Sequence, residues 1–423
     1  MALVSTADVR LTSGVVRGQI ESDISVFRGI PFATADRFGA PGPVEPWSGV
    51  RPAVAFDEGL TVNVWSPDTD ATLPVMVWIY GGGYEIGTSS LPEYDGAVLA
   101  RTGPVVVVTF NYRIGVEGFG HVDGAPPNRG LLDQVAALAW VRDNITGFGG
   151  DPGRVTAFGV SAGGGSIAAL LAMPRAAGLF QRAIVQSMPG TFFSPELAAD
   201  IAASGFAASS PRWGLAGHRS IRFSPVVDGD ILPTTPWEAP ATGVTLLAGH
   251  TRDEQSLFTA LTGPVDAPLG LFGPVGAYPD MSPEQLHELI HSDWLFRMPT
   301  VTFADAHAAA GGRTYLYELT WAGGPLGACH GLDVPLVFGN LTRGETALLI
   351  GDPTPEAIGL SHQMRTAWTA FATHGDPGWP AYHPAGRLTR IFDVPGSVGP
   401  YPESVSHRIW RSHRFAPLPL LDE

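Results

Sequence analysis

The spacing of hydrophobic and polar positions changes along this chain, and the change separates an N-terminal meander from a longer region of buried strands and helices. The first part predicts an antiparallel meander of short strands at residues 9–12, 15–20 and 25–28, followed by a short strand at 61–65. Near-continuous apolar runs follow at residues 73–80 and 104–112. Such runs are typical of strands that are buried on both faces of a sheet.

Helical spacing then alternates with further strands. Apolar residues recur at helical intervals in residues 131–145, 167–173 and 355–372. Additional strands are predicted at residues 155–160, 183–186, 245–248 and 314–319. Strands that alternate with helices predict an α/β fold with a mostly parallel sheet. Two less regular segments, at about 192–240 and 261–300, are interpreted as cap or gorge-lining excursions from a single domain over residues 1–423.

Composition and charge exclude several classes of partner. The 423 residues are 44% hydrophobic and 15% charged, with a formal net charge of −15. Nucleic acids and anionic membranes need clustered positive charge, and the chain has no basic block. No run reaches the roughly 20 apolar residues of a membrane span. The first residues lack a basic segment followed by an apolar one, so we expect a cytoplasmic protein.

Metal and disulfide chemistry have no support in the sequence. The histidines show no HExxH pattern, and the single cysteine, Cys329, can form neither an internal disulfide nor a thiolate zinc cluster. We therefore expect neither a metal ion nor another cofactor. The oligomeric state has no signature in the chain.

A G-x-S-x-G pattern at residues 159–163 marks Ser161 as a candidate nucleophile. The pattern lies between a predicted buried strand and an apolar helix, where a sharp turn raises the serine hydroxyl and the helix N-terminus offers amides to a developing anion. The alternative is a glycine-rich turn whose serine only caps the helix. The surrounding sequence favours the nucleophile.

A glycine run supplies a candidate oxyanion hole. Residues 80–84 read Tyr-Gly-Gly-Gly-Tyr and follow the apolar run that ends at residue 80. Acyl transfer needs backbone N–H groups that already point at the carbonyl oxygen, and glycines let the backbone approach closely. Gly82, Gly83 and Ala162 are the predicted donors.

The G-x-S-x-G pattern and the glycine run, together with their flanking sequences, resemble the type-B carboxylesterase family, which includes cholinesterases and bacterial para-nitrobenzyl esterases. The resemblance runs across nearly the whole chain in the stretches VMVWIYGGGY, VVVTFNYRIG, GLLDQVAALAWVRDNITGFGGDPGRVTAFGVSAGG, LFQRAIVQS, AGHTRDE, CHGLDVPLVFGN and GDPGWPAYHP. It implies an α/β-hydrolase fold and hydrolysis of carboxylic esters through an acyl-enzyme.

The resemblance also implies the partners of the nucleophile. α/β-Hydrolases order them as Ser, then Asp or Glu, then His. Glu254, at the end of a predicted strand, matches the family's acid, with Asp253 as the second candidate, and His330 matches the base. Ser187 matches a serine that hydrogen-bonds behind the acid. Cys329 is interpreted as a small buried residue, with a reactive thiol as the alternative.

The chain departs from the family at several points. Val160 replaces the usual glutamate before the nucleophile, and residues 57–60 mark an early disulfide loop that looks deleted. We expect a more open site that accepts small-to-medium or bulky esters. Aromatic residues that either line its pocket or belong to the core are Tyr84, Phe192, Phe193, Trp213 and Phe258.

Two other functions remain open from the sequence. The same site could transfer an acyl group to an acceptor other than water, or act in a biosynthetic step without net hydrolysis. A non-catalytic binding module on the same scaffold is a third interpretation, which the presence of Ser161 with its apparatus disfavours.

Overall fold

The computed structural model describes residues 5–206 and 209–422. Its strands are β1 Thr6–Arg10, β2 Val15–Glu21, β3 Ile24–Pro31, β4 Val50–Pro52, β5 Thr61–Ser66, β6 Leu73–Ile79, β7 Val106–Phe110, β8 Gly150–Val160, β9 Arg182–Gln186, β10 Thr245–Thr251, β11 Thr314–Leu319, β12 Leu388–Phe392 and β13 Ser397–Pro400. Its α-helices are α1 Ala97–Thr102, α2 Gly115–Phe119, α3 Arg129–Asn144, α4 Ala162–Ala172, α5 Pro195–Ala203, α6 Gly214–His218, α7 Gln255–Thr262, α8 Pro283–Ser292, α9 Met298–Ala309, α10 Asp333–Phe338, α11 Thr346–Leu349, α12 Pro355–His374 and α13 Ser404–Trp410.

One large mixed sheet organises the chain. The strand order is β1-β2-β3-β5-β7-β6-β8-β9-β10-β11-β12-β13, and β4 pairs with β2. The strands from β7 to β12 in this order are parallel. The N-terminal strands along this order and β13 pair antiparallel with their neighbours, while β4 lies parallel to β2. The predicted α/β architecture, with its antiparallel start and mostly parallel centre, is confirmed.

The centre of the sheet is buried because helices cover it. The five residues of β7 are buried, and in β6 every residue after Leu73 is buried, which fits their valine-rich sequences. Helix α4 packs against β8 and β9, α12 against β6 and β8, and α9 against β10 and β11. No helix within the described residues is long and apolar enough to cross a membrane.

Helix α4 begins earlier than the sequence pattern predicts. The apolar spacing indicated a start at residue 167, but the helix begins at Ala162, directly after Ser161. The residues that hide its start are Gly163, Gly164 and Gly165, which carry no side chain to show a helical pattern. The helix N-terminus therefore lies immediately beside the candidate nucleophile.

The two predicted excursions have different structures. The first, at 192–240, contains α5 and α6 and holds a small hydrophobic cluster separate from the main core. Its residues 207–208 lie outside the described residues. The second, at 261–300, includes α8 and the start of α9, joined by a wide π-helical turn at Asp293–Arg297. Because α9 packs on β10 and β11, the end of this segment belongs to the sheet's covering layer.

Candidate active site

Ser161 occupies a strained turn between β8 and α4. Its backbone lies at φ 57° and ψ −127°, a region that L-residues rarely adopt, and its side chain is half-buried. A Cβ added at Gly163 would lie 2.0 Å from the Ile79 carbonyl oxygen, and one at Gly159 would lie 2.5 Å from the same atom. Both glycines of the motif are therefore required by the close passage of β6.

The glycine run after β6 lies against this turn. A Cβ added at Gly81 would meet the Val160 carbonyl oxygen at 2.9 Å and the Ser161 Cβ at 3.0 Å. Gly82 has φ 108°, and a Cβ there would lie 2.0 Å from the Ile86 carbonyl oxygen. Gly83, at φ 62°, is exposed. Gly81 and Gly82 leave no room for a Cβ, which lets the loop bring its backbone beside the serine.

Two tyrosines anchor the start of that loop. The Tyr80 hydroxyl donates to the Tyr112 carbonyl oxygen at 3.1 Å, and the Tyr112 hydroxyl donates to the Tyr80 carbonyl oxygen at 2.7 Å. Their rings stack with centroids 4.4 Å apart. Reciprocal hydrogen bonds of this kind fix the backbone where β6 ends, so the loop starts from a rigid point.

The candidate acid and base come from loops that follow adjacent parallel strands. Beyond β10 and β11, the Asp253 N–H donates to the Ala328 carbonyl oxygen at 2.9 Å, and Asp253 forms an isolated parallel bridge with Cys329. Glu254 directly follows Asp253 in the first loop, and His330 directly follows Cys329 in the second. Their side chains meet, with His330 Nδ1 2.5 Å from Glu254 Oε2.

Glu254 is fully buried and well supplied with donors. Its Oε1 accepts hydrogen bonds from the Ser187 hydroxyl at 2.6 Å and from the Thr251 N–H at 2.9 Å. Burial acts to raise the pKa of Glu254, but the adjacent His330 and the hydrogen bonds from His330 and Ser187 outweigh it. The pKa therefore lies below its ordinary value, and the carboxylate is charged.

His330 packs against two aromatic rings. The ring centroids of Phe296 and Phe258 lie 4.2 Å and 5.2 Å from that of the imidazole. Because Nδ1 is held by Glu254, Nε2 is the nitrogen left for proton transfer. Among the described residues, no hydrogen bond joins the Ser161 hydroxyl to His330. In unliganded enzymes this bond often tightens only when substrate binds.

The neighbours of the acid and base have structural contacts. Asp253, the second candidate acid, pairs with Arg252 through two 3.0 Å hydrogen bonds and accepts from the Ala328 N–H at 3.1 Å. Cys329 is fully buried, and burial raises the pKa of its thiol to about 12. A protonated, inaccessible thiol is a poor nucleophile.

The predicted pocket aromatics do not lie together. Phe258 touches His330, whereas Tyr84 is buried against Phe119. Phe192 is buried against Trp237, and the remaining two, Phe193 and Trp213, lie in the separate cluster of the first excursion. We assign Phe193 and Trp213 to the core of that excursion, because both are buried in a cluster that its residues form together with Leu418 and Leu420 near the C-terminus.

Phe296 is a neighbour of the base that the sequence did not indicate. It belongs to the π-helical turn Asp293–Arg297, where the widened spacing departs from the helical period. Val160 is buried beside Gly81, so the position before the nucleophile presents an apolar side chain.

A large cavity lies beside the glycine run. Its volume is about 810 Å³, and it is bordered by residues 57–61, by Tyr80 and Gly87, and by Asn111, Tyr112 and Arg113. Ser161, Glu254 and His330 do not line it. It occupies the side of the molecule where the sequence indicated a shortened loop.

Comparison with known proteins gives consistent matches. The carboxylesterase family model matches residues 55–205 and 277–388. The chain is 38% identical to the para-nitrobenzyl esterase of Bacillus subtilis, across 92% of this chain and 96% of that protein. It is 34% identical to a probable N-octanoylanthranilate hydrolase of Rhodococcus erythropolis, across 91% of this chain and 97% of that protein.

Solved structures agree with the sequence matches. A thermophilic para-nitrobenzyl esterase superposes with a TM-score of 0.83 at 36% identity, covering 96% of this chain and 99% of that one. A carboxylesterase of Geobacillus stearothermophilus gives a TM-score of 0.85 at 33% identity, covering 95% of this chain and 99% of that one.

Proposed function

Since the chain belongs to the carboxylesterase family and is a serine ester hydrolase, we propose that Ser161, His330 and Glu254 carry out its reaction. The single observation that supports this assignment most strongly is the 2.5 Å contact of His330 Nδ1 with the buried carboxylate of Glu254. That contact fixes the tautomer of the base and leaves Nε2 to receive a proton.

The first half of the reaction forms an acyl-enzyme. His330 Nε2 accepts the proton of the Ser161 hydroxyl while the serine oxygen attacks the ester carbonyl carbon. Glu254 stabilises the imidazolium that results, because its carboxylate is already charged and buried next to the ring. The imidazolium then protonates the leaving alcohol as the ester bond breaks.

The oxyanion is assigned to three backbone N–H groups. Those of Gly82 and Gly83 come from the loop that lies against Ser161, and that of Ala162 comes from the first residue of α4. These donors are fixed before substrate arrives, so they stabilise the tetrahedral intermediate without reorganisation. Removing one such donor typically costs about 3–4 kcal/mol of transition-state stabilisation.

The second half of the reaction releases the acid. His330 accepts a proton from a water molecule, which attacks the acyl carbonyl carbon, and then returns a proton to Ser161. Because the residue before Ser161 is Val160, that position supplies no carboxylate as a second base for this step. The substrate is a small-molecule ester.

Turnover of 4-nitrophenyl esters by matched variants tests the assignment. Ser161→Ala should lower kcat by about 10⁶-fold and Glu254→Gln by about 10⁴-fold, because the first loses the nucleophile and the second loses the group that orients the base. Ser397→Ala, at an exposed position of β13, is the control and should match the parent. Unchanged turnover by Ser161→Ala would contradict the proposed mechanism.

A further inference from the structure

A half-buried arginine lies close to the catalytic base. Arg219, just after α6, donates Nη1 to the Gln255 side-chain oxygen at 3.0 Å, and Gln255 directly follows Glu254. Its guanidinium carbon lies 5.8 Å from the Phe258 ring centroid, which is 5.2 Å from that of His330. Both distances are measured to the Phe258 ring centroid, so the guanidinium carbon lies within about 11 Å of the His330 ring centroid.

The charge of Arg219 has no carboxylate partner in the described part of the chain. No acidic side chain there lies within 4.0 Å of its guanidinium nitrogens. The acidic group that influences it is Glu288, whose Oε1 instead accepts from the Thr259 hydroxyl at 2.5 Å. A guanidinium has five N–H donors, and the Gln255 oxygen takes one of them. The remaining donors are available to a ligand.

Burial does not remove this charge. It lowers the pKa of Arg219 to about 10, against the opposing influence of Glu288, so the side chain is protonated at neutral pH. A cation in apolar surroundings attracts an anion more strongly than one in water. An exposed arginine in solvent would lack this advantage.

The neighbouring histidines are neutral. His287 Nε2 accepts from the Val265 N–H at 3.0 Å, and burial lowers the pKa of His287. His291 is fully buried, and burial lowers its pKa to about 3. Arg219 is therefore the cation of this cluster.

His291 lies in the interior of the same cluster. Both of its ring nitrogens are buried and make no hydrogen bond with the described residues. Its ring centroid lies 4.4 Å from those of His287 and Phe272. Because this ring is fully buried and neutral, it adds no charge that would compete with Arg219 for an anion.

We propose that Arg219 binds a carboxylate carried by the substrate, so that the preferred esters are anionic ones in which a short apolar arm separates the carboxylate from the scissile carbonyl. This inference rests on the proposed function of Ser161 and His330. The arm packs along Phe258, the ring that contacts both the cation and the base. The planar fork of the guanidinium accepts a carboxylate through two parallel hydrogen bonds.

A matched pair of esters tests the proposal. The anionic substrate is the mono-4-nitrophenyl ester of adipic acid, and its uncharged counterpart is 4-nitrophenyl 6-methylheptanoate, which has the same chain and an isopropyl end. The measured quantity is the ratio of kcat/KM for the anionic ester to kcat/KM for the uncharged one. Each rate is corrected for spontaneous hydrolysis.

Arg219→Gln should lower this ratio about 10- to 100-fold, the range expected when a protected, charge-assisted hydrogen bond is lost. Most of the change should be in KM for the anionic ester, while turnover of the uncharged ester stays close to the parent. Arg219→Lys keeps the charge without the fork and should give an intermediate ratio. Arg175→Gln removes an exposed arginine elsewhere and is the charge-matched control.

The outcomes separate this inference from the proposed function. An unchanged ratio in Arg219→Gln, with both esters still hydrolysed, would overturn the role of Arg219 alone. A parallel loss for both esters would show a structural role and would also overturn it. Hydrolysis of the uncharged ester that persists in Ser161→Ala would instead contradict the proposed mechanism.

Discussion

The backbone of Ser161 stores strain that the surrounding structure must hold. A non-glycine residue at φ 57° and ψ −127° costs about 1–3 kcal/mol relative to a relaxed conformation. The Ser161 N–H donates to the Gln186 carbonyl oxygen at 2.9 Å, and its carbonyl oxygen accepts from the Gly165 N–H at 2.9 Å. These bonds keep the turn in place, and the strained geometry raises the hydroxyl into the site.

Replacing this serine by glycine should stabilise the protein while abolishing its activity. Glycine adopts positive φ without a Cβ clash, although its greater freedom in the unfolded chain offsets part of the gain. We expect Ser161→Gly to exceed Ser161→Ala in free energy of unfolding by about 1 kcal/mol. Chemical denaturation of the two inactive variants measures the difference.

The comparison with alanine is the internal control, since both variants lose the same hydroxyl. A Ser161→Gly variant that is less stable than Ser161→Ala would contradict the prediction, because the relief of strain would then be smaller than the entropy that glycine adds to the unfolded chain. Equal stability would mean that the entropy of the unfolded chain cancels the relief.

The residues of the site differ in how readily the sequence alone identifies them. Ser161 and the glycine run stand out because tight turns and close backbone approach tolerate few residue types. Glu254 and His330 could be named only through the family resemblance, since nothing local distinguishes one of twelve histidines. Arg219 and Phe296 were missed, because their positions follow from how segments without a motif fold over the sheet.

At the scale of elements, the acid and the base depend on the registration of two loops. The Asp253–Cys329 bridge ties the loop after β10 to the loop after β11. The Asp253 carboxylate adds a second tie, because Oδ2 accepts the Ala328 N–H at 3.1 Å. From these two contacts we expect Asp253 to act as a positioning residue that sets the approach of Glu254 to His330.

Removing the Asp253 carboxylate should misplace the base. In Asp253→Ala the Ala328 N–H loses its side-chain acceptor, and we expect kcat to fall about tenfold, with KM nearly unchanged. Asp253→Asn keeps an acceptor oxygen and should retain most of the parent kcat. Steady-state kinetics on an uncharged 4-nitrophenyl ester measures both.

Two results would contradict this role. Parent-like kcat in Asp253→Ala would mean that the backbone bridge alone fixes the loops. A loss as large as that of Glu254→Gln would assign the acid to Asp253 instead.

Elements were predictable where their residues alternate or recur with a clear period. The strand at residues 314–319 has the same bounds in the structure, as β11. The run from α8 through the π-helical turn to α9 was not predicted as a helix, because the turn breaks the 3.6-residue period. Strands β12 and β13 were also missed, since both are short and show no continuous apolar run, and β13 is largely exposed.

At the scale of the whole molecule, buried ionisable groups make the stability of the fold depend on pH in opposite directions. Burial raises the pKa of Glu318 to about 8, so its contribution to stability is complete below about pH 4.5 and is lost as the pH rises through 8. Burial lowers the pKa of His250 to about 4 and that of His291 to about 3. The histidine contributions are complete above the unfolded pKa of 6.5 and are lost as the pH falls. We therefore expect the free energy of unfolding to be greatest between the acid range, where the histidine contributions are lost, and pH 8, where that of Glu318 is lost.

His291 should account for a measurable part of the loss of stability in acid. Its ring is fully buried and close to Arg219 and His287, so protonation is opposed first by burial and then by these two neighbours. At pH 5 the imidazole is protonated in the unfolded chain, where its pKa is 6.5, but neutral in the folded protein. This difference lowers the free energy of unfolding by about 2 kcal/mol, and His291→Phe lacks it. The melting temperature should fall less between pH 7 and pH 5 in His291→Phe than in the parent, by about 2–4 °C. His362→Gln, at an exposed position of α12, should keep the parent's dependence. If the melting temperatures of the parent and His291→Phe fell equally in acid, the pKa of His291 would be the same in the folded and the unfolded protein. His291 would then not be one of the groups that govern acid stability.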